Sequence, residues 1–217
     1  MERMTSTGTG PAARGAYRHG DLRRALIDVG IELARAGGPD AVVLREATRR
    51  AGVVPNAAYR HFADRQALLQ AVCSAAQSAL AVAIEAELAG VPARLDRAAV
   101  ARERLRAVGT GYLRFARAEP GLFRTAFSVP TDLRNAANPA RAGDSGLTPF
   151  QLLGMVLDDL VEAGVLPVER RPGAEFLAWS AVHGLAMLLI EGPLRGLDDA
   201  VAQEVAGRLL DMVDKGL

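Results

Sequence analysis

Asn56, Ala57, Tyr59, Arg60 and His61 follow Pro55 in one short polar and aromatic run, and their chemistry is that of reading a nucleic acid. An Asn amide can pair with adenine, a small side chain can meet a thymine methyl, and basic or hydroxyl groups can hold phosphate oxygens. Arg45 and Val54 precede the run. Arg65 follows it near the start of the next helix, where it can reach a phosphate. No competing chemistry is visible in the chain. There is no nucleophile–base arrangement and no glycine-rich phosphate loop, and one cysteine with three scattered histidines leaves no metal-ligand spacing. The pattern predicts a protein that is not an enzyme and that needs no cofactor or metal.

The elements around the run are suited to mounting it. Leu44 to Ala51 are good helix formers, and Gly52 stands where a helix ends on a left-handed residue. Only Val53 and Val54 intervene before Pro55, whose fixed φ and missing N–H suit the first turn of a second helix. Two short helices joined by a tight turn containing glycine form a helix-turn-helix. Phe62 is its inward anchor. The same pattern also occurs in plain helical cores, so the flanks must decide. Asp21 can cap a preceding helix in which Leu22, Leu26, Val29 and Leu33 recur at helical spacing until Gly37-Gly38.

Beyond Phe62, Asp64 caps a long helix carrying Leu68, Leu69, Val72, Ala76 and Leu80 towards Leu88, the natural lever between the two parts of the chain. Pro92 separates it from a helix over Asp96 to Ala118 with Leu105, Val108, Tyr112 and Phe115 inward. Pro120 starts a short helix with Phe123 and Phe127. Pro130 to Gly146 reads as a long mobile loop. Pro149 opens the next helix, ending near Gly164, and Pro172 to Glu191 another, apolar over much of its surface. Its stripes are Phe176, Trp179, His183, Met187 and Ile190, then Leu177, Val182, Leu188 and Leu189. Val201, Val205, Leu209 and Met212 stripe the last helix. With Leu188 they give more apolar face than one small body covers, which implies a partner chain. No strand period and no internal repeat interrupts this, so the fold class is all-α.

Tyr112, Phe115, Phe123, Phe127, Phe176 and Trp179 either line a cavity or fill a core. His183, one turn after Trp179, is either a polar handle for a ligand or a core histidine bonded to a carbonyl. Few charges fall on the inward stripes, which points to an apolar or weakly polar small molecule. Cys73 reads as a small packed hydrophobe.

The 217 residues carry a net charge of +1, but unevenly. Residues 1–70 hold eleven Arg against seven acidic residues, and the remainder fifteen basic against eighteen acidic. The basic part is the part with the turn, as phosphate neutralisation requires. No uninterrupted apolar run reaches membrane-span length and no apolar signal core stands at the N-terminus, so no membrane partner is expected and the cytoplasm is the expected compartment.

Specific runs sharpen the reading. Tyr17-Arg18-His19-Gly20-Asp21-Leu22, Gly38-Pro39-Asp40-Ala41, Leu44-Arg45-Glu46, Arg50-Ala51-Gly52-Val53 and Tyr59-Arg60-His61-Phe62 resemble the N-terminal domain of TetR-family transcriptional regulators. Tyr112-Leu113-Arg114-Phe115-Ala116, Pro120-Gly121-Leu122-Phe123-Arg124 and Trp179-Ser180-Ala181-Val182-His183-Gly184 resemble the ligand-binding domain of its Trp-His-Gly subgroup. Residues 1–16, bearing Arg14, have a composition that cannot bury enough to fold alone and read as a loose arm. The resemblance implies a three-helix DNA-binding head over 17–63 and a larger helical ligand-binding and homodimerisation domain over 64–217. It also implies a double-stranded palindromic operator, dimerisation through a four-helix bundle, and release of a repressor by a small-molecule effector. An activator, an effector-independent regulator or a helical binding protein with weakened DNA affinity would share the fold. Three positions depart from the pattern. Thr48 replaces a small alanine, and its hydroxyl can bond back to the Leu44 carbonyl; Val54 replaces a capping serine or threonine; Ala58 replaces a core leucine.

Overall fold

The computed structural model describes residues 22–92, 96–130 and 137–217. The arm over 1–16 and the Tyr17 to Asp21 run, with the proposed Asp21 cap, lie outside the described residues, as does 131–136. Among the described residues the chain is all-helical with no strand. Three helices form the head: α1 (Leu22–Gly37), α2 (Leu44–Ala51) and α3 (Pro55–Tyr59). A larger helical body follows, made of α4 (Arg65–Ala89), α5 (Arg97–Ala118), α6 (Pro120–Ala126), α7 (Pro149–Glu162), α8 (Ala174–Ile190) and α9 (Asp199–Gly216).

Local sequence sets most helix boundaries. Asp64 and Asp96 accept from the backbone N–H of Ala67 and Ala99, each satisfying an orphan donor of the first turn. Thr148 and Gln151 close a reciprocal capping box before α7, just ahead of Pro149. Gly164, at φ 70°, ends the chain's exit from α7 in the left-handed region.

α4 is long and apolar enough to cross a membrane, a property that a search for uninterrupted apolar runs does not register. Its apolar residues are spread around its circumference because it is packed on several sides, by α1, α5 and α6. That is the environment of a core helix. Leu68, Val72, Ala76, Leu80 and Ile84 are fully enclosed along it.

Two expectations change in the body. The segment 137–146 is tied down rather than loose: Ser78 Oγ donates to the Ala142 carbonyl, and the Glu85 carboxylate accepts from the backbone N–H groups of Asp144 and Ser145 and from the Ser145 hydroxyl. On α8, Val182 and Leu189 face inward whereas Leu177, Leu188 and Phe176 face outward, so the second stripe read from sequence is split between two faces.

Candidate functional site

The turn between α2 and α3 is built as its residue types require. Gly52 sits at φ 68° and ψ 29°, and its N–H and that of Val53 close the end of α2 onto the carbonyls of Arg49 and Thr48. No atom crowds the position, so backbone conformation alone calls for glycine. Thr48 is buried and its hydroxyl donates to the carbonyl of Arg45, not Leu44, at 2.7 Å, a bond one residue shorter than the sequence suggests. Ala58 and Phe62 are buried beneath α3, and the Arg23 guanidinium lies 5.3 Å from the Phe62 ring centroid.

With α3 anchored by those two residues, Asn56, Tyr59, Arg60 and His61 are exposed, Pro55 and Val54 with them, and Ala57 is half-covered. Arg45 is exposed on α2. On the same helix Glu46 accepts from both Arg49 and Arg50, and those bonds hold its carboxyl down at about 2. Arg65 has a task inside the protein as well. Its Nε donates to the Val42 carbonyl at 2.9 Å and a terminal nitrogen to the Pro39 carbonyl at 2.8 Å, so it turns back and fixes the 3-10 turn Pro39–Ala41 that leads into α2.

Val54 has the extended backbone of an N-cap, φ −72° and ψ 144°, but no side-chain acceptor for the first turn of α3. Val54→Thr supplies one on an exposed site without a core change. Thermal unfolding is expected to rise with a gain of about 0.5–2 kcal/mol, and an unchanged or lowered midpoint would show that α3 draws its stability from Ala58 and Phe62 alone.

Inside the body, α4, α5, α7, α8 and α9 line a cavity of about 540 Å³. One wall is aromatic: Tyr112, Phe127, Trp179 and His183, joined by Phe150, which the sequence reading passes over. Phe115 and Phe123 are core residues and do not line this cavity; Phe176 is 47% exposed and packs against the outer side of Phe150, ring centroids 6.1 Å apart. Helical spacing cannot separate these rings, and packing distinguishes the layer each occupies. The lining is not wholly apolar either. Arg141, 6% exposed, reaches it from the segment 137–146, and Arg102, Glu103, Arg106 and Asp214 stand along it, with Arg102 paired to Asp214 at 2.6 Å. A mainly apolar cavity with a charged side therefore replaces the apolar one expected from the stripes.

The aromatic wall carries a directed hydrogen-bond chain. Trp179 Nε1, a donor only, gives its hydrogen to the Tyr112 hydroxyl at 3.1 Å, and that hydroxyl lies 2.8 Å from His183 Nδ1. Among the described residues the Tyr112 hydroxyl makes no other bond. If Nδ1 carried a hydrogen, the buried phenol would keep its own hydrogen without an acceptor, at a cost of about 1–3 kcal/mol. The favoured arrangement runs Trp179 to Tyr112 to His183, with the His183 hydrogen on Nε2. Burial pushes the Tyr112 phenol well above its ordinary range and lowers the His183 imidazole, so both stay neutral near pH 7. His183 is thus bonded to a hydroxyl, not to a carbonyl.

Phe127 and His183 also border a second, smaller crevice of about 310 Å³, whose other side is Pro39 and Asp40 of the head. Cys73 is fully enclosed nearby and donates its thiol to the Ala126 carbonyl at 3.0 Å; burial pushes the thiol up and away from reactivity. On the outer face, Leu188 of α8 and Val201 and Met212 of α9 are exposed, and Val205 and Leu209 half-covered, whereas Leu210 and Val213 of α9 turn into the cavity.

Comparison with known proteins supports both halves. Residues 26–72 match the family described as bacterial regulatory proteins, tetR family, and residues 105–213 match the tetracyclin repressor-like C-terminal domain. No curated protein matches the chain by sequence. Among solved structures, a protein of unknown function from Rhodococcus sp. RHA1 is similar at 28% identity and TM-score 0.70, covering 94% of this chain and 99% of its own. A TetR family transcription regulator from Marinobacter aquaeolei VT8 shares the fold at 21% identity and TM-score 0.59, over 89% of this chain and 94% of its own. TetR-Q116A from Acinetobacter baumannii AYE, solved in complex with minocycline, shares it at 18% identity and TM-score 0.54, over 88% and 93%.

Proposed function

Because this chain belongs to the TetR family of bacterial transcriptional regulators, we propose that it is a cytoplasmic repressor that binds a palindromic operator as a homodimer and is released by a small molecule held in the body cavity. It is a DNA-binding regulator and not an enzyme. The observation that carries the proposal is the mounting of α3: Ala58 and Phe62 fix it from within, leaving Asn56, Tyr59, Arg60 and His61 exposed together. In this reading the head is residues 17–63 and the body 64–217. α3 enters the major groove, where Asn56, Ala57 and Tyr59 meet base edges, and Arg45, Arg60 and His61 hold the backbone. Arg65 acts indirectly, by keeping the turn before α2 in place. Two copies related by a twofold axis present their reading helices about 34–36 Å apart, hence an operator of two inverted half-sites.

The same helix reaches both ends of the device, which supports an effector role for the cavity. α4 lines the cavity with Gln77 and Ile84, and its first residue holds the carbonyls of Pro39 and Val42 in the head. A ligand that prefers a shifted α4 separates the two heads, with a coupling of about 1–3 kcal/mol, and DNA weakens the ligand by the same factor. The minocycline held by the similar Acinetobacter protein is a precedent for a small-molecule ligand on this fold. Selection of bound sequences from random DNA tests operator binding and half-site spacing together. On the selected site, Arg60→Ala and Tyr59→Ala are each expected to weaken binding roughly tenfold or more at moderate salt. Unchanged binding by both variants would remove α3 as the reading helix.

A further inference from the structure

The geometry points to a definite ligand class for the cavity: an apolar molecule carrying an acceptor oxygen, a carbonyl or a carboxylate, which takes the Nε2–H of His183. This inference rests on the cavity being the effector site. Its basis is the polarity of the Trp179–Tyr112–His183 chain, which uses every hydrogen but one. Trp179 gives its hydrogen to Tyr112, Tyr112 gives its own to His183 Nδ1, and the hydrogen left over on Nε2 meets no protein acceptor among the described residues. The His183 imidazole borders the cavity beside Phe127 and Trp179, whose ring centroids lie 4.9 and 6.1 Å from its own. A purely hydrocarbon ligand sealing this wall would leave the donor buried and unpaired, whereas a carbonyl or carboxylate completes the chain. Sites built to bond a polar group discriminate against the isostere that lacks it far more strongly than apolar pockets discriminate by size. Tyr112 is then a positioning residue, because it selects the imidazole tautomer without needing to touch the ligand.

Two measurements test this on the full chain. In histidine-labelled protein, long-range proton–nitrogen correlation at pH 7 is expected to show His183 neutral with its hydrogen on Nε2, and Tyr112→Phe to convert it into a mixture of tautomers. The chain has only three histidines, so a His183→Phe spectrum identifies the signals. A wild-type His183 protonated on Nδ1 would overturn the inference with no ligand in hand. The second measurement titrates two isosteric probes, 2-acetylnaphthalene and 2-isopropenylnaphthalene, against the indole N–H signal of Trp179, the sole tryptophan. The ketone is expected to bind at least about tenfold more tightly than the alkene, and His183→Phe to bring the ratio close to one. Equal binding to the wild type, or a preference that survives His183→Phe, overturns the acceptor class while leaving the cavity as a ligand site. If neither probe moves the Trp179 signal, the cavity reading falls, and this inference with it.

Discussion

Gly121→Ala is expected to lower the melting temperature by roughly 6–12 °C, from a single added methyl group. Gly121 lies in the first turn of α6 where that helix crosses the end of α1. A Cβ built there comes to 2.3 Å from the Ala34 carbonyl oxygen and 2.6 Å from that of Arg35. Both obstacles are backbone, so no side chain can swing away. The helices must part, and with them the contacts that join head to body at this seam: the Arg35 to Glu119 ion pair at 3.1 Å, and Arg124, which pairs with Glu191 while its guanidinium lies over Gly38. Overpacking of this kind costs about 1–3 kcal/mol. Rigid obstacles put it at the upper end, and a chain of this length loses about 2–4 °C per kcal/mol. Gly154→Ala in α7 is the control, because its Cβ would meet nothing closer than 3.7 Å and helical Gly→Ala gains about 0.5–1 kcal/mol. Calorimetric melting of the two variants decides the matter; a Gly121→Ala midpoint within about 2 °C of the wild type would show that the seam yields freely.

The contrast between those glycines marks the boundary of what the chain discloses on its own. Gly52, Pro55, Asp64 and Asp96 act within one turn of themselves, so the head's turn and the starts of α3, α4 and α5 are legible residue by residue. Gly121 acts on a helix more than eighty residues away, and nothing near it in sequence distinguishes it from a helix-weakening glycine. Arg65 is similar. Its place at a helix start suggests a phosphate contact, while its actual partners, Pro39 and Val42, come from an earlier turn. The cavity divides in the same way. Period-3.6 spacing puts Tyr112, Phe127, Trp179 and His183 on inward faces, but helix rotation and depth decide that Phe123 is buried beside the smaller crevice and Phe176 faces out. Arg141 is hidden for another reason: the segment that positions it has the composition of a loop, and Glu85 and Ser78, far away in sequence, hold it.

A wall shared by two spaces gives the fold a way to report occupancy. Phe127 and His183 border the cavity on one side and, on the other, the crevice closed by Pro39 and Asp40. A ligand that displaces those rings presses on the turn that leads into α2, and Arg65 ties that same turn to α4. On the proposed mechanism the head therefore receives the shift from two directions, through α4 and through the aromatic wall.

Leu188→Glu combined with Met212→Glu is expected to leave the single chain folded and to abolish high-affinity operator binding. The two side chains are 43% and 58% exposed on α8 and α9, so glutamates there keep their carboxylates in water in a lone copy, and the helical circular dichroism should stay as it is. In a twofold dimer joined on this face the same change places four carboxylates in one apolar interface, each deprived of water and facing like charge. Association then fails. Sedimentation at micromolar concentration should move from the mass of two chains to that of one. Each head would be left to bind its half-site alone, without the effective concentration that a tethered second head provides, which corresponds to a loss of roughly 10²–10⁴-fold in operator affinity. A double variant that still sediments as a dimer would place the interface elsewhere; a monomeric variant that keeps full affinity would mean that the operator is read one head at a time.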